Sequence, residues 1–154
     1  MCIYVNFEKE KALSSLSTFG IGGNARFYIK VFSISEMQET IVFAKKENIP
    51  YWILGKGSNS LFDDRGFSGL IIHNAISFCE QDKDYFYVGA GYSFSLLGAQ
   101  TARKGWSGLE FASGIPGSVG GAIFMNAGAS GKESSDHLQS VTYIDAAGEI
   151  VVLK

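Results

Sequence analysis

The first half of the chain shows apolar patterns that change from strand to helix and back. Ala25–Val31 is rich in β-branched and aromatic residues, which predicts a strand. Apolar residues then recur at helical spacing between residues 34 and 44, after a Ser33 that resembles an N-cap with Glu36 completing a capping box. Pro50 ends the helical pattern, because proline cannot continue a helix.

Two further apolar runs predict buried strands. Tyr51–Leu54 is short and uncharged, and Gly69–His73 follows after a turn-forming stretch. The alternation of strand, helix, strand, loop and strand predicts a small parallel α/β lobe over residues 17–74, with residues 1–16 as a lead-in.

The second half predicts a different arrangement. Tyr85–Val88 is a strand candidate, and Ser93–Lys104 predicts a helix that ends at Gly105. Val141–Asp145 and Glu149–Leu153 predict a hairpin. We therefore expect a second, larger lobe over residues 75–154 and an α+β fold class. The last strand has no closing element, so we expect more protein to follow it.

Composition excludes several classes of protein. Hydrophobic residues make up 46% of the 154 residues and charged residues 18%, which is sufficient for a folded core. The net charge of −2 argues against a nucleic-acid-binding protein, which needs a basic face. Cys2 and Cys79 are too few for a disulfide framework or a zinc site, and His73 and His137 lack partners at ligand spacing, so we expect no metal.

The sequence predicts neither a secretion signal nor a membrane segment. The N-terminal residues lack a basic region followed by an apolar run. The uncharged stretch Phe111–Gly131 is 21 residues long, but its six glycines, Pro116 and Asn126 disfavour a lipid-facing helix. We expect a soluble cytoplasmic protein.

A glycine-rich hexapeptide follows the second predicted strand and is the first candidate binding site. Its residues are Gly55, Lys56, Gly57, Ser58, Asn59 and Ser60. Glycines in a tight turn allow several backbone N–H groups to point outward and bind an anion, and Lys56 adds a positive charge. The motif matches neither the P-loop nor the Rossmann fingerprint, and an ordinary turn at a strand end remains an alternative.

A second glycine-rich stretch is the other candidate site. Glycine accounts for 19 of the 154 residues, and eight of these glycines lie between residues 105 and 131. Glycine lets main chain approach a ligand where a Cβ atom would collide. Ser118 and neighbouring amides could donate hydrogen bonds to a pyrophosphate or a heteroaromatic ring. The alternative is a tightly packed structural loop.

Four segments together resemble a known family. They are Ser17–Gly23 (STFGIGG), Leu54–Phe62 (LGKGSNSLF), Val88–Gly91 (VGAG) and Gly105–Ala129, which contains IPGSVGGA and NAGA. In order and spacing they resemble the N-terminal FAD-binding half of UDP-N-acetylenolpyruvoylglucosamine reductases, within the wider vanillyl-alcohol-oxidase group. The resemblance implies a small parallel lobe, a larger lobe with a mostly antiparallel sheet, and FAD between them.

The resemblance also implies site residues. The hexapeptide of residues 55–60 would wrap the pyrophosphate of FAD. The rest of the cofactor would be lined by Ile115, Ser118, Gly120, Gly121, Asn126 and Gly128.

The family reduces UDP-N-acetylglucosamine enolpyruvate to UDP-N-acetylmuramate with NADPH, in peptidoglycan synthesis, and so serves cell-wall formation, cell shape and division. Its catalytic Arg, Ser and Glu would fall after residue 154, so we expect no catalytic residue in this chain and no turnover by it alone. Two alternatives are the FAD-binding module of another flavin oxidase or dehydrogenase, and a non-catalytic cofactor-binding remnant.

Overall fold

A computed structural model describes residues 6–145 and 147–154 of the chain. Cys2 and Ala146 therefore lie outside the described residues. The chain divides into two compact units, Met1–Ala75 and Ile76–Lys154, and each contains both helix and strand. The mixed helix-and-strand composition confirms the predicted fold class. The arrangement of two lobes around a cofactor stays a prediction.

The first unit contains one four-stranded sheet. Its strands are β1 (Glu8–Ala12), β2 (Asn24–Val31), β3 (Tyr51–Leu54) and β4 (Phe67–Asn74), in the spatial order β1-β2-β4-β3. β2, β4 and β3 are parallel, as predicted, whereas β1 pairs antiparallel with β2. The predicted lead-in thus supplies a strand that its charged sequence, Glu-Lys-Glu-Lys-Ala, did not suggest.

Helix α1 (Ile34–Lys46) connects β2 to β3 and begins at the predicted N-cap. The Ser33 hydroxyl accepts the Glu36 N–H at 3.2 Å. The Glu36 carboxylate does not return the bond to Ser33, as a capping box would, but accepts the N–H of Phe32 at 2.7 Å. Both bonds satisfy backbone N–H donors at the start of the helix. The capping-box pattern therefore located the start of the helix correctly, although the Glu36 carboxylate accepts from Phe32 instead of Ser33.

The two faces of this sheet are covered in different ways. Phe27 lies opposite Leu70 in the ladder, and on their face the Phe7 ring contacts both Phe27 and Phe43 of α1. The other face is covered by the segments 13–23 and 55–66. Its buried cluster consists of Leu13, Ala25, Tyr28, Leu54 and Ile71, with Leu16, Phe62 and Phe67 packed against it.

The second unit contains three separate two-stranded antiparallel sheets. They pair β5 (Cys79–Asp82) with β6 (Tyr85–Val88), β7 (Gly128–Ala129) with β8 (Lys132–Glu133), and β9 (Val141–Ile144) with β10 (Ile150–Leu153). The antiparallel pairing agrees with the expectation drawn from the resemblance. A single larger sheet is not formed by the strands within residues 76–145 and 147–154.

Two helices and their loop form the core of the second unit. Helix α2 (Phe94–Arg103) packs on the 3₁₀ turn Glu110–Gly114, and helix α3 (Val119–Phe124) follows shortly after. Their buried residues are Phe94, Leu97, Ala112, Val119 and Ala122. Among the described residues, no helix combines the length and hydropathy that a membrane crossing requires.

Candidate functional site

The loop of residues 55–60 is held by an N-terminal segment of the same unit. The Thr18 N–H donates to the Gly57 carbonyl at 3.2 Å, and the Ser17 hydroxyl donates to the Ser60 carbonyl at 2.5 Å. A longer bond of 3.5 Å joins the Thr18 hydroxyl to the Ser58 carbonyl. We call residues 16–20 the anchor segment, because its side chains and backbone fix this loop from one side.

Gly57 is the point where the loop and the anchor segment approach most closely. Its φ of +70° lies in the left-handed region, and a Cβ atom placed there would collide with the Leu16 carbonyl and approach the Cα atom of Ser17. Both the conformation and the space therefore require glycine. The glycine that the sequence suggested for anion binding thus also has a packing role.

The anchoring bonds determine where the loop's amide groups point. All three bonds use carbonyl oxygens, those of Gly57, Ser58 and Ser60. The described peptide bonds are trans, and in a trans peptide the C=O of one residue and the N–H of the next point in opposite directions. The N–H groups of Ser58, Asn59 and Leu61 therefore point away from the anchor segment. This donor set fits the oxygens of a diphosphate.

Several charged, polar and apolar side chains of the loop and of residues 19–21 are exposed. Lys56 and Asn59 are exposed, so their polar ends can reach a ligand in solvent. Three large apolar side chains are also exposed: Leu61, directly after the loop, at 66% of full accessibility, and Phe19 and Ile21 at 57% and 52%.

In the second unit, part of the glycine-rich stretch contacts residues 90–94. The N–H of Val119 donates to the Tyr92 carbonyl at 2.9 Å, and the N–H of Gly120 donates to the Ala90 carbonyl at 2.8 Å. A Cβ atom at Gly120 would lie 2.9 Å from the Cβ of Ala90. Glycine at position 120 is therefore explained by packing within the unit.

Ser118 acts as the N-cap of α3. It is buried at 3% exposure, and its hydroxyl accepts the N–H of Gly121 at 3.3 Å. Gly121 itself is exposed, and Ile115 is half-buried. Gly114 is a glycine that packing does not explain, since no described atom lies within 4 Å of its ideal Cβ position and its φ is not left-handed. Gly114 was not among the predicted site residues.

Asn126 and Gly128 hold the next turn together. The Asn126 amide donates to the Glu133 carboxylate at 2.6 Å, while its carbonyl accepts the N–H of Ser135 at 3.0 Å. Asn126 also has a φ of +45°, which asparagine tolerates better than most residues. A Cβ atom at Gly128 would collide with the Lys132 carbonyl. Both residues thus shape the backbone of the β7–β8 turn.

Glu110 stabilises the loop that leads into the glycine-rich stretch. Its carboxylate accepts the N–H of Gly108 at 2.7 Å. Hydrogen bonds from its own backbone N–H and from that of Gly108 lower the pKa of Glu110, and the nearby His137 and Lys132 lower it further. The carboxylate therefore stays ionised and orders the turn.

A hydrogen-bonded pair lies on the sheet of the first unit. The Tyr28 hydroxyl and the Nδ1 atom of His73 are 2.8 Å apart. His73 is opposite both Lys30 and Leu54 in the parallel ladders, so it lies at the carboxyl end where residues 55–60 begin. Burial, followed by the positive charge of Lys30, lowers the pKa of His73.

The lowered pKa of His73 predicts that the stability of the fold depends on pH. Because the unfolded chain binds a proton to His73 more readily than the fold does, the free energy of unfolding should be highest above pH 6.5 and fall as the pH drops below it. Urea unfolding between pH 7.5 and 5.5 measures this decrease. His73→Gln should flatten the profile, whereas His137→Gln, the control, should leave the decrease in place. An unchanged profile in His73→Gln would contradict the prediction.

A comparison with protein families identifies the class of protein to which the chain belongs. A family profile described as an FAD binding domain matches residues 25–154, and the chain belongs to this family. FAD is its cofactor, and the outward amides of the loop of residues 55–60 fit the diphosphate that a dinucleotide bears.

Comparison with curated relatives identifies a narrower class within the FAD-binding family. The chain is 61% identical over 143 residues to a UDP-N-acetylenolpyruvoylglucosamine reductase of Protochlamydia amoebophila (strain UWE25), covering 92% of this chain and 48% of the relative. It is 49% identical over 141 residues to the enzyme of the same name from Chlamydia pneumoniae, covering 90% of this chain and 46% of the relative. The chain thus spans about half the length of the curated relatives it matches. The resemblance drawn from the four sequence segments is confirmed.

Solved structures agree with the fold. The crystal structure of the UDP-N-acetylenolpyruvylglucosamine reductase from Thermus caldophilus superimposes with a TM-score of 0.76 at 32% identity, covering 97% of this chain and 53% of that chain. A variant of Phl p 4, a glucose dehydrogenase, superimposes with a TM-score of 0.61 at 14% identity, covering 84% of this chain and 29% of that chain. The second similarity concerns the fold alone.

The anchor segment is the functional element that sequence reasoning missed. Ser17–Gly23 contributed to the resemblance, but no role was assigned to it. Within it, the close approaches of Gly22 to Phe62 and of Gly23 to Asp64 show why glycine is needed at these two positions. The available signal was the glycine spacing of STFGIGG, which indicates backbone packed against backbone.

Proposed function

We propose that the chain is the FAD-binding portion of an NADPH-dependent reductase that converts UDP-N-acetylglucosamine enolpyruvate to UDP-N-acetylmuramate. The observation that carries the cofactor-binding part is the loop of residues 55–60, whose carbonyls face the anchor segment and whose amides face outward. The reductase part is supported by the names of the relatives and by their identity to this chain.

Each group of residues has a proposed role. The loop amides, such as those of Asn59 and Leu61, donate hydrogen bonds to the diphosphate of FAD, and Lys56 offsets its negative charge. The residues proposed to contact the pyrophosphate are Gly55, Lys56, Gly57, Ser58, Asn59 and Ser60. Those proposed for the rest of the cofactor are Ile115, Ser118, Gly120, Gly121, Asn126 and Gly128.

This chain binds and orients the cofactor in the proposed reaction. When bound, FAD supplies hydride transfer between NADPH and the enolic double bond. We assign no catalytic residue to residues 1–154. The groups that stabilise the enolate and deliver the proton are proposed to belong to the part of the relatives' length beyond the matched region.

We further propose a cytoplasmic role in peptidoglycan synthesis, and through it in cell shape and division. This is supported by the chemistry of the proposed partners. A UDP-sugar and NADPH are charged nucleotides that do not cross a bilayer unaided, and they have to meet the enzyme in one compartment.

The cofactor proposal predicts a selective effect of Lys56. Lys56→Gln should weaken FAD binding by about 3- to 10-fold, because an exposed cation beside a diphosphate contributes roughly 1 kcal/mol. Riboflavin, which carries no phosphate, should bind the variant and the unaltered chain equally. Titrations followed by the visible flavin absorption, with free flavin removed by desalting, measure both. Lys46→Gln removes another exposed lysine, on α1, and serves as the control.

Two outcomes would separate the parts of the proposal. A folded chain that gains no flavin absorption with excess FAD would refute the cofactor assignment. The reductase assignment needs a second assay, in which the chain is fused to the residues that follow the matched region in the Protochlamydia relative. Oxidation of NADPH that depends on UDP-N-acetylglucosamine enolpyruvate supports it. FAD binding without that oxidation favours another flavin enzyme or a cofactor-binding remnant.

A further inference from the structure

A cavity in the second unit is lined by none of the residues proposed to contact FAD. Its volume is about 440 Å³, within the range of small-molecule sites. It is bordered by the β5–β6 hairpin and by α2. Its walls are formed by Cys79, Phe86, Tyr92, Gln100, Arg103 and Lys104.

The charged side chains that line this cavity are both cations. Gln100, Arg103 and Lys104 are spaced at i, i+3 and i+4, which places them on one face of α2 and its C-cap. On the hairpin, Cys79 and Phe86 share one face, because Cys79 pairs with Val88 and Phe86 with Gln81. The acidic residues of β5, Glu80 and Asp82, alternate onto the opposite face.

The polar groups are oriented toward an acceptor. The Tyr92 hydroxyl donates to the Oε1 atom of Gln100 at 2.6 Å, so the group that Gln100 can offer a ligand is its NH₂. The Lys104 ammonium donates to the Oε1 atom of Gln81 at 3.0 Å and lies 5.5 Å from the centre of the Phe86 ring. This holds one cation beside an aromatic wall.

We propose that this cavity binds a small planar aromatic anion, with the ring against Phe86 and Tyr92 and the anionic group between Gln100, Arg103 and Lys104. Half-buried aromatic side chains provide the apolar surface. An amide NH₂ and two cations provide donors, and none of the described residues that line the cavity is acidic. Two sources share this chemistry, a nucleoside monophosphate and an aromatic carboxylate.

Cys79 provides a reporter for the occupied cavity. In a Cys2→Ser background, its thiolate attacks the disulfide of 5,5′-dithiobis(2-nitrobenzoate), which forms a mixed disulfide and releases a coloured thiolate. Burial raises the pKa of Cys79, so the rate is measured at pH 8.5. AMP, UMP and 4-hydroxybenzoate are added as ligands in separate arms, and adenosine is the neutral control.

At least one anionic ligand should slow the reaction of Cys79, and adenosine should not. Protection by AMP or UMP alone identifies a nucleotide site, and protection by 4-hydroxybenzoate identifies a site for aromatic acids. Arg103→Gln combined with Lys104→Gln should raise the half-protecting concentration at least tenfold. Lys45→Gln combined with Lys46→Gln makes the same change of charge on α1 and should not. No protection by any anion, equal protection by adenosine, or full protection in the cavity variant would overturn the proposal.

Discussion

Gly57→Ala should lower the free energy of unfolding more than any other glycine-to-alanine substitution in the first glycine-rich loop. The left-handed φ of +70° costs an alanine about 1–2 kcal/mol by itself. The added Cβ atom would also collide with the Leu16 carbonyl, so the anchor segment or the loop has to move. We expect a total loss of about 3–4 kcal/mol in urea unfolding, and FAD binding too weak to survive desalting.

Gly20→Ala is the matched control for this substitution. Gly20 has nearly the same φ, +69°, but no described atom lies within 4 Å of its ideal Cβ position. Gly20→Ala should therefore lower the free energy of unfolding only by the conformational cost of the left-handed φ, about 1–2 kcal/mol. Equal losses in the two variants would show that the close approach of Leu16 to Gly57 does not affect stability. That result would also contradict our account of how the loop amides are turned outward.

Strands β2 and β3 and helix α1 of the first unit could be predicted because local rules decide them. The apolar run Tyr51–Leu54 had the length and composition of a strand, and Ser33 with Glu36 had the chemistry of a helix start. These signals act over a few residues and agree with the tertiary structure. The observed bounds of β2 and β3 accordingly lie within one residue of those predicted from the pattern, and α1 begins directly after the predicted N-cap, Ser33.

Other features could not be predicted because they depend on residues far apart in sequence. β1 is highly charged, and it becomes a strand only because the edge of β2 is available to pair with Glu8–Ala12. The anchor segment contacts a loop about 40 residues later, from Thr18 to Ser58. No local pattern reports such a contact.

The candidate site shows why glycine counts alone are ambiguous. The sequence left two explanations open for each glycine-rich stretch, ligand approach and tight packing. The contacts of Gly57 and Gly120 favour packing at those positions, whereas Gly114 has no such contact. Packing and ligand approach are not exclusive, because a loop pressed against its support on one side can present amides on the other. The role of each predicted residue toward FAD stays a prediction.

Gly120→Ala should destabilise the second unit by forcing α3 away from residue 90. Alanine is normally the better helix former, so without tertiary contacts this change would stabilise the helix by roughly 1 kcal/mol. The new Cβ atom, however, would lie 2.9 Å from the Cβ of Ala90 and 3.2 Å from its carbonyl oxygen, which accepts the N–H of Gly120. We expect a net loss of about 1–3 kcal/mol in urea unfolding, typical of an overpacked contact.

A double-mutant cycle isolates this contact from other effects. Ala90→Gly removes the atom that collides most closely, so Gly120→Ala should cost at least 1 kcal/mol less in the Ala90→Gly background than in the unaltered chain. Gly114→Ala, which meets open space in the preceding turn, should leave the free energy of unfolding within about 0.5 kcal/mol. If the cost of Gly120→Ala were the same in both backgrounds, Ala90 would not be the reason for glycine at this position. A role in approaching the cofactor would then become the better explanation, and FAD titration of the Gly120→Ala chain would test it directly.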